Sequence, residues 1–133
     1  SIPVALEDLV AATDEYGWAY LLTVRNDLRP HIVAVTPVWV GGQLVMDVGG
    51  GTARNTAARS SISLCYPPVE DGGYSLIVDG DASVDGESRI HFAPTTAVLP
   101  DRLLMGSSAR RRGVETIASR SVHRGVEDRP AAT

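Results

Sequence analysis

The sequence contains no lysine: all twelve basic residues among its 133 are arginines. A Schiff-base lysine and the lysine of a P-loop are therefore excluded. The arginines are outnumbered by 16 acidic residues, which gives a formal net charge of −4. Because this balance supplies no general positive field for a polyanion, we do not expect a dedicated nucleic-acid-binding protein.

Cysteine, aromatic residues and long apolar runs are also scarce. Cys65 is the single cysteine, so it cannot form an internal disulfide, and its place in the apolar run 62–66 predicts a buried thiol. A reducing, cytoplasmic location is expected on this basis. No stretch reaches the roughly 18 to 20 apolar residues of a membrane span, so no membrane association is expected.

The sequence lacks the common signatures of metal sites and hydrolases. His31, His91 and His123 lie far apart, without cysteine or carboxylate at ligand spacing, so no metal site is expected. The motifs G-x-S-x-G, H-E-x-x-H and G-x-x-x-x-G-K-[ST] are absent. Classical hydrolase chemistry therefore has no support.

The length and the 44% of hydrophobic residues indicate one globular domain. Apolar residues at helical spacing predict an N-terminal helix over 3–16, with Pro3 in its first turn and Gly17 at its end. We predict a single domain over 1–105. A polar, arginine-rich helix or tail is predicted over 106–133.

Runs rich in β-branched residues predict about six strands between these segments. The predicted strands cover 18–25, 31–40, 43–48, 62–66, 74–84 and 88–99. Gly41-Gly42 predicts a hairpin turn, so the first three strands are expected to form a meander. Gly80 indicates a bulge and Asp85-Gly86 a further turn. The pattern predicts a small antiparallel barrel with helices outside it.

The segment that follows Gly49-Gly50-Gly51 predicts a short helix, with Thr52 as its cap. Backbone N–H groups at a helix start, together with the guanidinium of Arg54 and the Thr52 hydroxyl, form a natural phosphate site. The alternative is a flexible connection with a solvated arginine.

The order of these segments resembles the pyridoxamine 5'-phosphate oxidase-like split-barrel family of flavin and deazaflavin oxidoreductases. Residues 30–39 (PHIVAVTPVW) resemble the family pattern P-h-v-x-x-x-P-v-W, with one more residue between the two prolines. Residues 52–64 match K-x-R-N-L-x-x-x-P-x-V-S-L at Arg54, Asn55, Ser63 and Leu64, and residues 80–84 match G-x-A-x-V. Thr52 stands where the family usually has a lysine that meets the cofactor phosphate.

The resemblance implies a mainly β, split antiparallel barrel of the FMN-binding type, which forms a homodimer with the cofactor between the protomers. The implied cofactor is FMN, with the deazaflavin coenzyme F420 as the alternative, and the implied activity is hydride transfer to or from a small organic substrate. The implied cofactor-binding residues are Val33, Val35, Thr36, Pro37, Gly50, Gly51, Thr52, Arg54 and Asn55. No catalytic residue is implied. The alternative is a non-catalytic protein of the same fold that binds flavin, heme or another planar ligand.

Several further residues have two interpretations. Trp18 and Trp39 either stack on a ligand or belong to the barrel core or a dimer interface, which is the usual role of buried aromatic residues. The run Arg110–Arg112 either meets an anionic ligand or forms a solvated face, as charge runs usually do. Tyr66 and Tyr74 either bond a substrate or pack in the interior.

Overall fold

Residues 1–102 are the part of the chain that the structure, a computed structural model, describes. The predicted segment 106–133, with Arg110–Arg112, lies outside the described residues. The strands are β1 (Ile2–Val4), β2 (Ala19–Val24), β3 (Pro30–Val35), β4 (Val38–Val40), β5 (Gln43–Asp47), β6 (Ser61–Tyr66), β7 (Leu76–Asp85) and β8 (Arg89–Leu99). The α-helices are α1 (Leu9–Asp14), which follows a 3-10 turn at Leu6–Asp8, and α2 (Gly50–Ala58).

The eight strands form one antiparallel sheet in the order β3-β2-β6-β7-β8-β5-β4. The long strand β8 pairs with β7 on one side, and on its other side with β5 first and β1 later. The sheet curls into a half-barrel that carries the two helices. Within residues 1–102, no helix is long and apolar enough to cross a membrane.

Alternation of side chains along the strands builds a core that is mainly aliphatic. In β2, Ala19 and Leu21 are buried, whereas Tyr20 between them faces outward and is 40% exposed. The largest fully buried hydrophobic residues of the core come from α1 and from five of the strands: Leu9, Leu21, Leu44, Leu64, Leu76, Val78, Ile90 and Phe92. The single phenylalanine is thus fully buried.

The predicted strand 31–40 is two strands, and the predicted meander is wrong. Thr36 and Pro37 interrupt the run, because proline has no N–H for a ladder and restricts the residue before it. β3 pairs with β2, whereas β4 pairs with β5, and the two hairpins end at opposite edges of the sheet. The hairpin predicted at Gly41-Gly42 is confirmed, with φ of 57° and 82° at its two glycines.

The N-terminal helix is shorter than the predicted 3–16. Pro3 belongs to β1, where it pairs with Val98 of β8, and α1 begins only at Leu9. A proline is tolerated there because β1 is an edge strand, paired on one side only. The strand count rises from the predicted six to eight because β1 and β4 are three-residue strands hidden within longer predicted elements.

The bulge predicted at Gly80 is confirmed. Gly80 pairs with Pro94 while Asp79 pairs with Thr96, so that Thr95 is passed over in the ladder. A Cβ at Gly80 would stand 2.4 Å from the carbonyl oxygen of Ala93. Only glycine lets the two strands approach this closely.

Candidate functional site

The first turn of α2 is an open surface with free backbone donors. The helix begins after Gly49, whose carbonyl accepts the N–H of Ala53 at 3.0 Å. The N–H groups of Gly50, Gly51 and Thr52 therefore precede the first intrahelical bond. The predicted cap Thr52 is wrong, because Gly49 holds the cap position and no side chain caps the helix. An added Cβ at Gly49 would meet nothing within 4 Å.

Arg54 covers this turn. Its Nη1 would be 3.1 Å from a Cβ placed on Gly50, and its Nη2 would be 3.9 Å from one on Gly51. Arg54 is exposed, and among the described residues it has no carboxylate within ion-pair distance. A guanidinium beside free helix N–H groups is an arrangement that binds anions.

Arg54 and Gly50 belong to the wall of a concavity of about 460 Å³, which reaches the turn between β7 and β8. Ala53, Ala57, Val84, Gly86 and Glu87 complete the wall. We call it the α2 concavity. The carboxylate of Glu87 disfavours an anion in that part of the wall, so an anion would be bound best at the Gly50 end.

Two of the residues predicted around the phosphate are engaged elsewhere. Thr52 is only 3% exposed, so its hydroxyl is removed from the surface of the turn, and its carbonyl accepts the Thr56 hydroxyl at 2.9 Å. The Asn55 side-chain amide donates to the Thr23 hydroxyl at 3.2 Å, which joins α2 to β2. Arg54 and the N–H groups of Gly50 and Gly51 remain at the surface for an anion.

The residues predicted around a cofactor ring do not share one environment. Val33 packs against the core and Val35 is 7% exposed, because alternation turns both of them inward. Val35 and the exposed Thr36 also border a second concavity of about 550 Å³, whose other wall residues are Trp18, Ala34 and Asp47. We call it the β3 concavity. Asp47 and Gly50 are three residues apart, so the β3 and α2 concavities approach each other within about 10 Å along the chain.

A third cavity, of about 160 Å³, lies between α1 and β4. Pro37 belongs to its wall together with four aromatic residues, which are Tyr16, Trp18, Trp39 and Tyr66. We call it the aromatic cavity. Sequence reasoning gave Trp18, Trp39 and Tyr66 a ligand contact as one of two interpretations, but it missed the cavity, because the four aromatic residues come from three separate segments.

Hydrogen bonds hold the aromatic cavity in place. The indole N–H of Trp39 donates to the Thr13 hydroxyl at 2.8 Å, and the Tyr16 hydroxyl donates to the carbonyl of Tyr74 at 3.0 Å. The rings of Tyr16 and Tyr66 lie 5.6 Å apart at a tilt of 56°. Burial raises the pKa of Tyr66 to about 12, and burial together with the charge of Glu15 raises the pKa of Tyr16.

No family model matches the chain. The uncharacterized proteins Mb0449c of Mycobacterium bovis and MT0457 of Mycobacterium tuberculosis are each 40% identical over 116 residues, which cover 80% of this chain and 82% of theirs. The chain belongs to the family of these mycobacterial proteins.

Solved structures share the fold at low sequence identity. A Listeria innocua protein assigned as a pyridoxamine 5'-phosphate oxidase superposes with a TM-score of 0.60 at 15% identity, covering 73% of this chain and 98% of that one. An F420 reductase superposes at 0.54 with 18% identity, covering 62% and 90%. The heme storage protein HutZ of Vibrio cholerae superposes at 0.58 with 15% identity, covering 72% and 95%.

This chain has the split-barrel fold of the pyridoxamine 5'-phosphate oxidase-like proteins. The predicted fold is therefore confirmed, and the resemblance to these proteins holds at the level of structure. The solved proteins of this fold include both an F420 reductase and a heme storage protein, so the fold alone does not select the ligand.

The split-barrel protein also has an apolar outer face. One row of cross-strand neighbours on this face is apolar across five strands: Ala34, Tyr20, Cys65, Ile77 and Val98. Ile32 in the next row is 55% exposed. We call these six residues the outer apolar face.

The predicted burial of Cys65 is wrong. Cys65 is only half-buried, because alternation along β6 turns Leu64 and Tyr66 into the core and Cys65 outward. The remaining burial raises the pKa of the thiol, so the unreactive thiol form is favoured at neutral pH.

Proposed function

We propose that this split-barrel protein is an oxidoreductase that binds a flavin or deazaflavin nucleotide and transfers hydride to or from a small organic substrate. FMN is the first candidate and F420 the second. The observation that carries the proposal is the open first turn of α2, where Arg54 lies over free N–H groups. The similarity of fold to an F420 reductase supports it.

The phosphate end of the nucleotide fits the α2 concavity at Gly50 and Gly51. Arg54 would supply two donors in a planar fork, and the backbone N–H groups would supply further donors with no side chain in the way. The family lysine is replaced by Thr52, whose side chain is buried, so the Arg54 guanidinium is the main cationic group of this site. Loss of Arg54 should therefore have a large effect.

The ring end would occupy the β3 concavity, which adjoins the phosphate site through residues 47–50. When bound, the tricyclic ring supplies the hydride chemistry, so the protein needs no nucleophile of its own. Val35, Thr36 and Trp18 would orient the ring and exclude water from one of its sides.

A second copy of the chain is proposed as the other wall of this site. The outer apolar face leaves Tyr20 and Ile32 at 40% and 55% exposure, and contiguous exposed apolar surface marks an interaction surface. Ala34 belongs both to this face and to the β3 concavity. A partner on the face would therefore also enclose the ring.

A ligand-binding protein without turnover is the second candidate, and the similarity of fold to the heme storage protein HutZ favours it. Heme iron requires an axial ligand. Of the histidines in the described part, His91 lies 3.3 Å from a carboxylate oxygen of Asp85, and neither His31 nor His91 belongs to the walls of the three concavities. This placement favours the nucleotide over heme.

The deciding experiment is a parallel titration of the purified protein with FMN, F420 and hemin. Quenching of cofactor fluorescence reports the first two, and the Soret band reports the third. Saturable binding of FMN or F420, followed by its oxidation or reduction with small substrates, is expected. Binding of hemin alone would establish the second candidate, and binding of none of the three would refute both.

Arg54→Ala is the matched test of the phosphate site. It should weaken nucleotide binding by about 1.5 to 3 kcal/mol, which is the range for hydrogen bonds to charged groups. Arg59→Ala is the control, because Arg59 ends the same helix and only donates to the Asn26 side chain at 3.1 Å. An equal loss in both variants would refute the role of Arg54.

A further inference from the structure

The aromatic cavity concentrates most of the aromatic residues of the protein. The chain has two tryptophans, four tyrosines and one phenylalanine, and both tryptophans and two of the tyrosines belong to this wall. A cavity of 160 Å³ corresponds to about five water molecules in liquid volume. The cavity is therefore suited to a small compound rather than to a nucleotide.

The electrostatic character of this wall is negative. Asp14, at the end of α1, is its one charged residue, and neither arginine nor histidine takes part in it. Burial, and after it the negative charge of the neighbouring Glu15, raise the pKa of Tyr16, so both favour the uncharged hydroxyl at this ring. An anionic ligand is thus disfavoured, in contrast to the turn beside Arg54.

The polar groups of the wall are largely engaged within the protein. The Trp39 N–H is bonded to Thr13, the Thr13 hydroxyl to the carbonyl of Val10 at 3.1 Å, and the Tyr16 hydroxyl to Tyr74. These hydrogen bonds fix the orientation of the Trp39 and Tyr16 rings in the free protein, so binding of a ligand costs little side-chain conformational entropy. What remains for a ligand is aromatic surface, the Asp14 carboxylate and two donors, the Trp18 N–H and the Tyr66 hydroxyl, which donate to no other group within residues 1–102.

We propose that the aromatic cavity binds a small organic cation of the substituted ammonium class. Aromatic rings attract cations through their quadrupoles, and quaternary ammonium groups are bound by aromatic cages in this way. Asp14 adds a carboxylate that favours positive charge. The aromatic cavity shares Trp18 with the β3 concavity but no residue with the proposed phosphate site, so binding of the cation can be measured without nucleotide.

The test compares choline with its neutral carbon isostere, 3,3-dimethyl-1-butanol, at constant ionic strength and without added nucleotide. Both tryptophans of the chain lie in the wall, so intrinsic fluorescence reports the site directly. Choline is expected to give saturable binding. The isostere should bind about tenfold more weakly, because it lacks the charge that the rings and Asp14 attract.

Three variants assign the effect to residues. Asp14→Asn should weaken choline binding about two- to fivefold, as expected for an exposed charge pair. Trp18→Leu should weaken it about threefold or more and leaves Trp39 as the reporter. Glu87→Gln removes the same charge from the α2 concavity and should leave choline binding unchanged.

Equal affinity for choline and the isostere would show an apolar site and overturn the proposal. An absence of saturable choline binding in the folded wild-type protein would also overturn it. If Glu87→Gln weakened choline binding as much as Asp14→Asn does, the affinity would depend only on the net charge of the protein. That result would contradict binding of the cation in the aromatic cavity.

Discussion

Gly80→Ala tests how closely β7 approaches β8 at the bulge. The added methyl would lie 2.4 Å from the carbonyl oxygen of Ala93 and 2.7 Å from Cζ of Phe92. Contacts of a Cβ below 3.0 Å essentially do not occur, so the atoms have to separate by about 0.6 Å. Phe92 is fully buried, and the Ala93 backbone is held in the ladder by Asp81.

The cost follows from these contacts. Overpacking a close-packed site costs about 1 to 3 kcal/mol, and two clashes with fixed groups place Gly80→Ala near the upper end. Alanine restricts the unfolded chain more than glycine does, and this effect offsets about 0.4 to 1 kcal/mol of the overpacking cost. The net loss in the free energy of unfolding is expected to be about 2 kcal/mol, which lowers Tm by roughly 8 to 16 °C.

Urea denaturation followed by circular dichroism measures this loss, and the slope m should stay unchanged. The control is Gly17→Ala, because a Cβ at Gly17 meets nothing within 4 Å and no positive φ is required there. Gly17→Ala should change the free energy of unfolding by less than about 0.5 kcal/mol. A comparably small loss in Gly80→Ala would refute the argument, since it would mean that the two strands separate at little cost.

Two further predictions concern alkaline stability and assembly. Burial raises the pKa of Tyr66 to about 12, from 10.0 in the unfolded chain. The protonated Tyr66 hydroxyl therefore contributes its full share to the free energy of unfolding below pH 10. This contribution is lost as the pH rises through about 12. The free energy of unfolding should fall more steeply over this window in the wild type than in Tyr66→Phe, and equal slopes would contradict the assignment. The wild type should be a dimer by light scattering, and Ile32→Glu should be monomeric because it places a charge in the outer apolar face. Val69→Glu, at a residue 68% exposed in the loop before β7, should stay dimeric, and a monomeric wild type would refute the proposed homodimer.

Much of the fold follows from local sequence. The β-branched runs, the glycines of the β4–β5 hairpin and the bulge at Gly80 are local signals, and each predicts the structure around itself. The order of strands is not local. Nothing between residues 30 and 40 except Pro37 indicates that β3 and β4 part to opposite edges. The edges are set by the pairing of β2 with β6 and of β5 with β8, whose partner residues lie 41 to 48 positions apart in the chain.

In the candidate site, too, the features that depend on local sequence were predictable and those that depend on distant contacts were not. The open turn and Arg54 were predictable, since a glycine run before a helix start is itself the structure that binds anions. The burial of Thr52 was not, because it depends on which side of a short helix meets the sheet. The aromatic cavity was also unpredictable, because it requires α1, β4 and β6 to meet in space.

The two residues that separate β3 from β4, Thr36 and Pro37, also determine how far apart the two edges of the sheet lie at one end. A sheet edge offers a row of unpaired backbone groups that templates the addition of foreign strands. Here Thr36 and Pro37 join the ends of both edge strands, so at this point the edges lie within about 10 Å of each other across the slit of the half-barrel. A strand from another chain would have to enter between two edges that the backbone itself ties together, and this geometry should suppress edge-to-edge aggregation.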